Sequence, residues 1–160
     1  MAKKQRHAQK QPAPHRLPPT TQKHWLNEGN NLYGEKRYNA ALEAYDRAIQ
    51  LDPCYAAAYR GKGNAFLELE RYEEALAAYE RVIQLDAART DHMRQGYVNR
   101  NLQRYNDTML CSKMGLTLYM LKRYEEALVA YERAIQLDPK EEAYRVGKGI
   151  ALYRLERDEE

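Results

Sequence analysis

Four kinds of residue in this chain carry groups suited to chemistry, and their spacing argues against each of them. Glu73-Glu74 and Glu125-Glu126 are paired carboxylates, the raw material of general acid–base work. Adjacent residues point to different sides of a helix, so neither pair can face one substrate together. Both pairs open a helical stretch, where negative charge suits the helix dipole. His7, His15, His24 and His92 lack the spacing of metal ligands. Cys54 and Cys111 form neither a knuckle nor a redox pair, and neither has a nearby His and acid for nucleophilic use. Gly61-Lys62-Gly63 and Gly147-Lys148-Gly149 hold residues of a phosphate loop, but inside helical patterns, with no P-loop following. The expectation is no enzyme, no cofactor and no metal.

The elements that would position any site come next. The chain has 160 residues, enough for one domain or a short array. Residues 1–24 contain six bases and no acid, whereas the remainder carries 20 bases against 23 acids. A mildly acidic body therefore follows a basic tail. Residues 1–21 are rich in Lys, Gln, Pro and His and too poor in apolar residues to offset the entropy of ordering, which predicts a disordered tail. Apolar runs are too short to span a bilayer. The basic start has no apolar stretch after it, so no secretory signal is expected. Two isolated cysteines in that setting fit a reducing cytoplasm.

The body repeats itself. Residues 71–86 return almost unchanged at 123–138, and a more diverged copy occupies 37–52. Trp25 and Tyr59 are 34 residues apart, as are Leu51 and Leu85. A fixed period of this length means stacked helix pairs that bury their apolar faces only against neighbours. Trp25, Gly29 and Leu32 lie on one helical stripe, and Tyr38, Ala41, Leu42, Tyr45, Ala48 and Ile49 on the next. Asp52-Pro53 stops the second helix, because a residue before proline disfavours the α region. Glycine and alanine at Gly29, Gly63, Ala41 and Ala75 let helix backbones approach, and large Tyr and Leu residues fill the space opposite. Tyr38, Tyr45, Tyr72, Tyr79, Tyr124 and Tyr131 are expected in the core.

Trp25, Gly29, Leu32, Tyr38, Ala41, Tyr45, Ala48 and Pro53 set a pattern. It recurs as Tyr59, Gly63, Phe66, Tyr72, Ala75 and Tyr79, with Val82 and Ala87 at the last two places. Gly115, Leu118, Tyr124, Ala127, Tyr131, Ala134 and Pro139 give a later copy. Over residues 22–155 the chain resembles the tetratricopeptide repeat (TPR) family. The resemblance implies an all-α, right-handed α-solenoid of antiparallel helix pairs, irregular in the middle. The units would be 22–55, 56–89, a degenerate partial unit at 90–107, 108–141, and a partial unit or capping helix at 142–160.

The resemblance also implies a concave groove lined by the first helix of each unit. Carried over by position, that surface comprises Lys23, Leu26, Asn27, Asn30 and Tyr33, then Arg60, Asn64 and Leu67, then Ser112, Lys113, Leu116 and Tyr119. Val146, Ile150 and Tyr153 continue it. Second helices repeat closely while these positions vary, as framework and reading surface should. Asn30 and Asn64 could pair with a peptide backbone, Arg60 and Lys113 could meet carboxylates, and Tyr33, Tyr119 and Tyr153 could offer apolar platforms. The implied function is an adaptor or scaffold for a protein or peptide partner, with no membrane involved. One subclass clamps a C-terminal carboxylate with Lys and Asn; here Leu26 and Gly61 stand at two of its positions, so that clamp is not expected.

Other roles remain open. Lys3, Lys4, Arg6 and Lys10 could contact nucleic acid, although the tail lacks aromatics for base stacking. The array could regulate an enzyme on another chain, or self-associate through an open end. Gly63 and Gly96 are 33 residues apart but Gly96 and Gly115 only 19, which predicts a disturbed junction over 87–112. Residues 92–103 read as a first helix, and a fused helix over 105–121 would replace two. Losing a helix there would put residues 124–137 in the wrong slot. Residues 144–155 read as a further first helix, either a cap on the array or the start of a truncated unit.

Overall fold

The computed structural model describes residues 21–92 and 100–158. The expected tail at 1–20 lies outside the described residues. The chain forms α1 (Gln22–Gly34), α2 (Tyr38–Leu51), α3 (Ala56–Glu68), α4 (Tyr72–His92), α5 (Arg100–Met120), α6 (Tyr124–Leu137) and α7 (Glu142–Asp158), with no strand among the described residues. α1 and α2, α3 and α4, and α5 and α6 are antiparallel pairs stacked into an α-solenoid.

Local chemistry sets the helix ends. Thr21 caps α1, its hydroxyl accepting from the His24 amide at 3.3 Å. The turn inside each pair is one device used three times. Lys36, Glu70 and Lys122 adopt the left-handed conformation, with φ of 61°, 58° and 59°. The next amide then bonds back five residues, Arg37 to Leu32, Arg71 to Phe66 and Arg123 to Leu118, each at 2.9 Å. Between pairs, Asp52 and Asp138 are extended before proline, and their carboxylates accept from the Cys54 and Lys140 amides.

Packing follows the repeat. Tyr45, Tyr79 and Tyr131 are buried among Ala41, Ala75 and Ala127, as expected. Tyr38, Tyr72 and Tyr124, at the starts of second helices, are only partly buried. Tyr45 lies between Gly29 and Gly61, and Tyr131 between Gly115 and Gly147. A Cβ on any of these four glycines would stand 2.5–3.0 Å from the ring. An ion pair joins the same units: Lys62 to Asp46 at 2.6 Å and Lys148 to Glu132 at 2.8 Å.

The middle junction departs from this pattern without breaking the order of helices. Where Gly61 and Gly147 stand, the third unit has Lys113, and where Lys62 and Lys148 stand it has Met114. Tyr79 therefore lies against Gly63 alone, with neither the second glycine nor the lysine. The core accordingly divides into a cluster around Tyr45 and Tyr79 and another around Leu118 and Tyr131, with Met114 packed against both. The expected displacement of residues 124–137 does not occur. α6 pairs with α5, and Tyr131 lies on Gly115 as Tyr45 lies on Gly29. The physical reason is that α4 runs on to His92 and α5 begins early at Arg100, so both helices are lengthened among the described residues and α6 still pairs with α5. Residues 100–103 thus belong to α5, not to a separate helix.

Candidate functional site

Curvature decides which face is hollow. First helices meet their successors, α1 with α3, α3 with α5, and α5 with α7. The backbones of α2 and α4, and of α4 and α6, come no closer than 8 Å among the described residues. An array tight along one row of helices and open along the other is concave on the tight side. The concave wall is therefore α1, α3, α5 and α7.

On α1, Lys23, Asn27 and Asn30 are exposed, while Leu26 packs partly against the core. Asn30 and Asn64 are not free amides. The Tyr45 hydroxyl donates to Asn30 Oδ1 at 3.0 Å, and the Tyr79 hydroxyl donates to Asn64 Oδ1 at 2.8 Å. Burial pushes the Tyr45 hydroxyl up to about 12 and Tyr79 higher, so both stay protonated donors at neutral pH. Each carbonyl therefore holds one core tyrosine, with its second lone pair and the amide NH₂ left for other partners. Tyr33 is half-buried and donates to Glu68 Oε1 at 3.2 Å, and burial, then Glu68, raise its pKa to about 12.

Arg60 is partly buried on α3, and its Nε has no hydrogen-bond partner. Burial lowers its pKa, opposed by Asp86 and Asp107. Burial and Asp86 raise the Asp107 carboxyl. Leu67 is 8% exposed and packs with Phe66, Tyr79 and Leu110. It lies in the core and leaves little surface for a groove ligand. On α5, Ser112, Lys113 and Tyr119 are partly exposed and Leu116 is open. Tyr119 accepts from Arg154 Nε at 3.3 Å, which links α5 to α7. Val146, Ile150 and Tyr153 on α7 are 59%, 46% and 57% exposed.

Sequence reasoning missed the second glycine row, Gly61 and Gly147. Its signal was present, since Lys113 is the one residue that interrupts it in units two to four. Outside the groove, a shallow cleft of about 190 Å³ between α1 and α2 is lined by Trp25, Leu32, Glu28 and Arg47, with the Arg47 guanidinium 4.5 Å above the Trp25 ring. Among the described residues no three potential metal ligands converge, and no helix is long and apolar enough to cross a membrane.

Family comparison agrees with this geometry. Models of the tetratricopeptide repeat match residues 26–91 and 108–141, more than half of the chain. The chain belongs to the tetratricopeptide repeat family. A curated TPR relative, the small glutamine-rich tetratricopeptide repeat-containing protein 2 of Mycosarcoma maydis, is 27% identical over 128 residues. That match takes in 80% of this chain and 31% of the relative, so the chain spans about a third of its length. Among solved TPR structures, YrrB, described as having an unusual peptide-binding site, is 27% identical with a TM-score of 0.64, over 80% of this chain and 57% of that one. The first TPR of Spaghetti (RPAP3), bound to the HSP90 peptide SRMEEVD, is 19% identical with a TM-score of 0.69, over 88% and 98% of the two chains. The Sgt2 TPR domain of Aspergillus fumigatus gives 19% and 0.67, over 86% and 81%. These last two likenesses speak to fold alone.

Proposed function

We propose that this TPR chain is a protein-interaction scaffold that holds a peptide segment or partner helix in its concave groove. One observation carries the reading: second helices repeat almost unchanged, while the groove positions of the first helices change from unit to unit. The units of the scaffold are 22–55, 56–89 and 108–141, with 90–107 a degenerate partial unit and 142–160 a partial unit or capping helix. The reading surface comprises Lys23, Asn27, Asn30, Tyr33, Arg60, Asn64, Ser112, Lys113, Leu116 and Tyr119, continued by Ile150 and Tyr153. Mechanism is equilibrium binding on a preformed surface, so the ligand bears most of the ordering cost. The peptide complex named for the RPAP3 repeat and the peptide-binding site named for YrrB support this use of the fold. A carboxylate clamp is not part of the proposal, because Leu26 packs into the core and Gly61 lies beneath Tyr45.

The six bases of residues 1–24 favour a second reading, contact with nucleic acid. A pull-down from native lysate separates the two. The baits are the full chain, a variant with Lys3, Lys4, Arg6 and Lys10 changed to Gln, and a groove variant with Asn30→Ala and Ile150→Ser, each with and without nuclease. A partner lost only with the groove variant supports the scaffold. Binding lost with the tail charges or with nuclease moves the function to nucleic acid.

A further inference from the structure

Each of α1, α3 and α5 lays one face against the second helix of its own unit, and on α7 the same face is open. Gly29, Gly63 and Gly115 each lie under the ring of a second-helix tyrosine, whereas Gly149 meets nothing within 4 Å. Phe66 and Leu118 are 8% and 5% exposed, whereas Leu152 at the same motif position is 39% exposed. Among the described residues only α6 and α5 bring their backbones within 8 Å of α7. We propose that this open face of α7 binds the same face of a second copy of the chain, giving a symmetric antiparallel dimer. The proposal does not rest on the groove reading above.

The residues on that face are complementary to themselves. Glu142, Val146, Gly149, Tyr153 and Arg157 follow one another at three- and four-residue steps, so they form one stripe along α7. Val146, Tyr153 and the adjoining Ile150 are exposed. When two such stripes cross antiparallel at their midpoint, between Gly149 and Ile150, Val146 meets the partner's Tyr153 and Glu142 meets the partner's Arg157. On one flank Arg145 comes opposite the partner's Glu156. Two-fold symmetry makes each of these contacts twice. A parallel pair would set Glu142 on Glu142 and Arg157 on Arg157, like charge against like, which selects the antiparallel arrangement. Arg157 lies over its own Tyr153 ring, 5.8 Å from the centroid, so its charge sits beside the apolar contact. Arg154 does not disturb the pairing, because its Nε is turned to the Tyr119 hydroxyl on α5.

A second helix runs antiparallel to its first throughout the array, so the partner's α7 enters the open slot in the sense that the fold already uses. A capping helix carries a polar outer face. On α7 that face carries Val146, Leu152 and Tyr153 instead. The stripe from Glu142 to Arg157 is about 22 Å long at about 1.5 Å per residue. One helix pair of that length is at the small end of specific interfaces, so the dimer is weak and reversible. A closed two-fold pair uses the open face of both copies and does not grow into a filament.

Sedimentation equilibrium of the full chain, from micromolar to sub-millimolar concentration, tests this. The unaltered protein should pass from monomer to dimer and no higher. Val146→Ser should raise the dimer Kd about tenfold, because two valines leave the interface. Arg157→Glu and Glu142→Arg should each raise it about tenfold as well, by turning two attractive pairs into repulsive ones. Each of these two variants pairs poorly with itself, yet an equimolar mixture of them should dimerise, since every contact between positions 142 and 157 is then opposite in charge again. Circular dichroism and melting of each variant report its fold. A chain that stays monomeric throughout overturns the proposal, and the face is then open to a helix from a different protein. Dimers that Val146→Ser and both charge reversals leave unchanged overturn it too, by placing the contact away from α7. A mixture that associates no better than its two folded components overturns the antiparallel register and the proposal with it.

Discussion

A Cβ placed on Gly29 would stand 2.5 Å from Cε1 of Tyr45, so the glycine is the floor on which the tyrosine ring lies. Gly63 stands in the same relation to Tyr79, at 2.5 Å. Gly149 holds the equivalent place on α7 and would meet nothing within 4 Å. One substitution should therefore have opposite signs at two matching positions. Gly63→Ala forces the buried Tyr79 ring aside, an overpacking cost of about 1–3 kcal/mol that outweighs the helix-propensity gain of about 1 kcal/mol. Gly149→Ala has only the gain, about 0.5–1 kcal/mol. Urea midpoints of the two variants measure this, and a shift in the same direction for both would refute the packing account.

Tyrosines at alternating motif positions should also differ in weight. Tyr79 is fully buried and Tyr72 only partly so. Tyr79→Ala should cost about 3–5 kcal/mol, as for other buried aromatics. Tyr72→Ala should cost no more than about 2 kcal/mol, nearer the ordinary range of single substitutions. Equal losses in denaturant unfolding would show that the half-exposed ring contributes as much as the enclosed one.

Periodicity made the helix pairs, their stops at Asp52-Pro53 and Asp138-Pro139, and the buried Tyr45, Tyr79 and Tyr131 legible, because each rests on local spacing. The middle was harder. Counting glycines suggested a missing helix, whereas α4 and α5 are each lengthened by extra turns, to His92 and from Arg100. Nothing in local pattern distinguishes a helix that stops from one that continues when no proline intervenes. At the site, sequence placed Asn30 and Asn64 on the groove. It did not reveal that hydroxyls 15 residues away engage their carbonyls, since that bond depends on rotamers across two packed helices. The burial of Leu67 escaped for a related reason: it depends on packing between helices, within a cluster drawn from α2, α3, α4 and α5.

The core hydroxyls give the fold a limit at high pH. Burial raises Tyr33 and Tyr45 from 10.0 to about 12. In the unfolded chain these groups ionise near 10. Their folded pKa values lie above the unfolded ones, so their contribution is complete below pH 10 and is lost as pH rises through about 12. Thermal midpoints should hold to about pH 10 and then fall steeply, and Tyr45→Phe should flatten that decline. Absorbance of tyrosinate during the same titration locates the ionisation. A midpoint that declines equally in the Phe variant would assign the alkaline loss to other groups.

Met114 is where the two halves of the array communicate. It stands at the position of Lys62 and Lys148 and packs against both core clusters. In stacked repeats stability is close to a sum of unit and nearest-neighbour interface terms, and cooperativity fails first at the weakest interface. That interface is the one where Lys113 replaces glycine and no lysine reaches back to α4. Met114→Ala should therefore do more than remove about 2 kcal/mol of packing, the lower end for a buried methionine. Trp25 is the sole tryptophan and lies in the first unit, so its fluorescence follows the N-terminal half, while far-UV circular dichroism follows every helix. In the unaltered protein the two urea transitions should coincide. In Met114→Ala they should separate, one cluster melting ahead of the other. Coincident transitions in the variant would mean that α4 and α5 couple the halves without Met114, leaving the junction stronger than its substitutions imply.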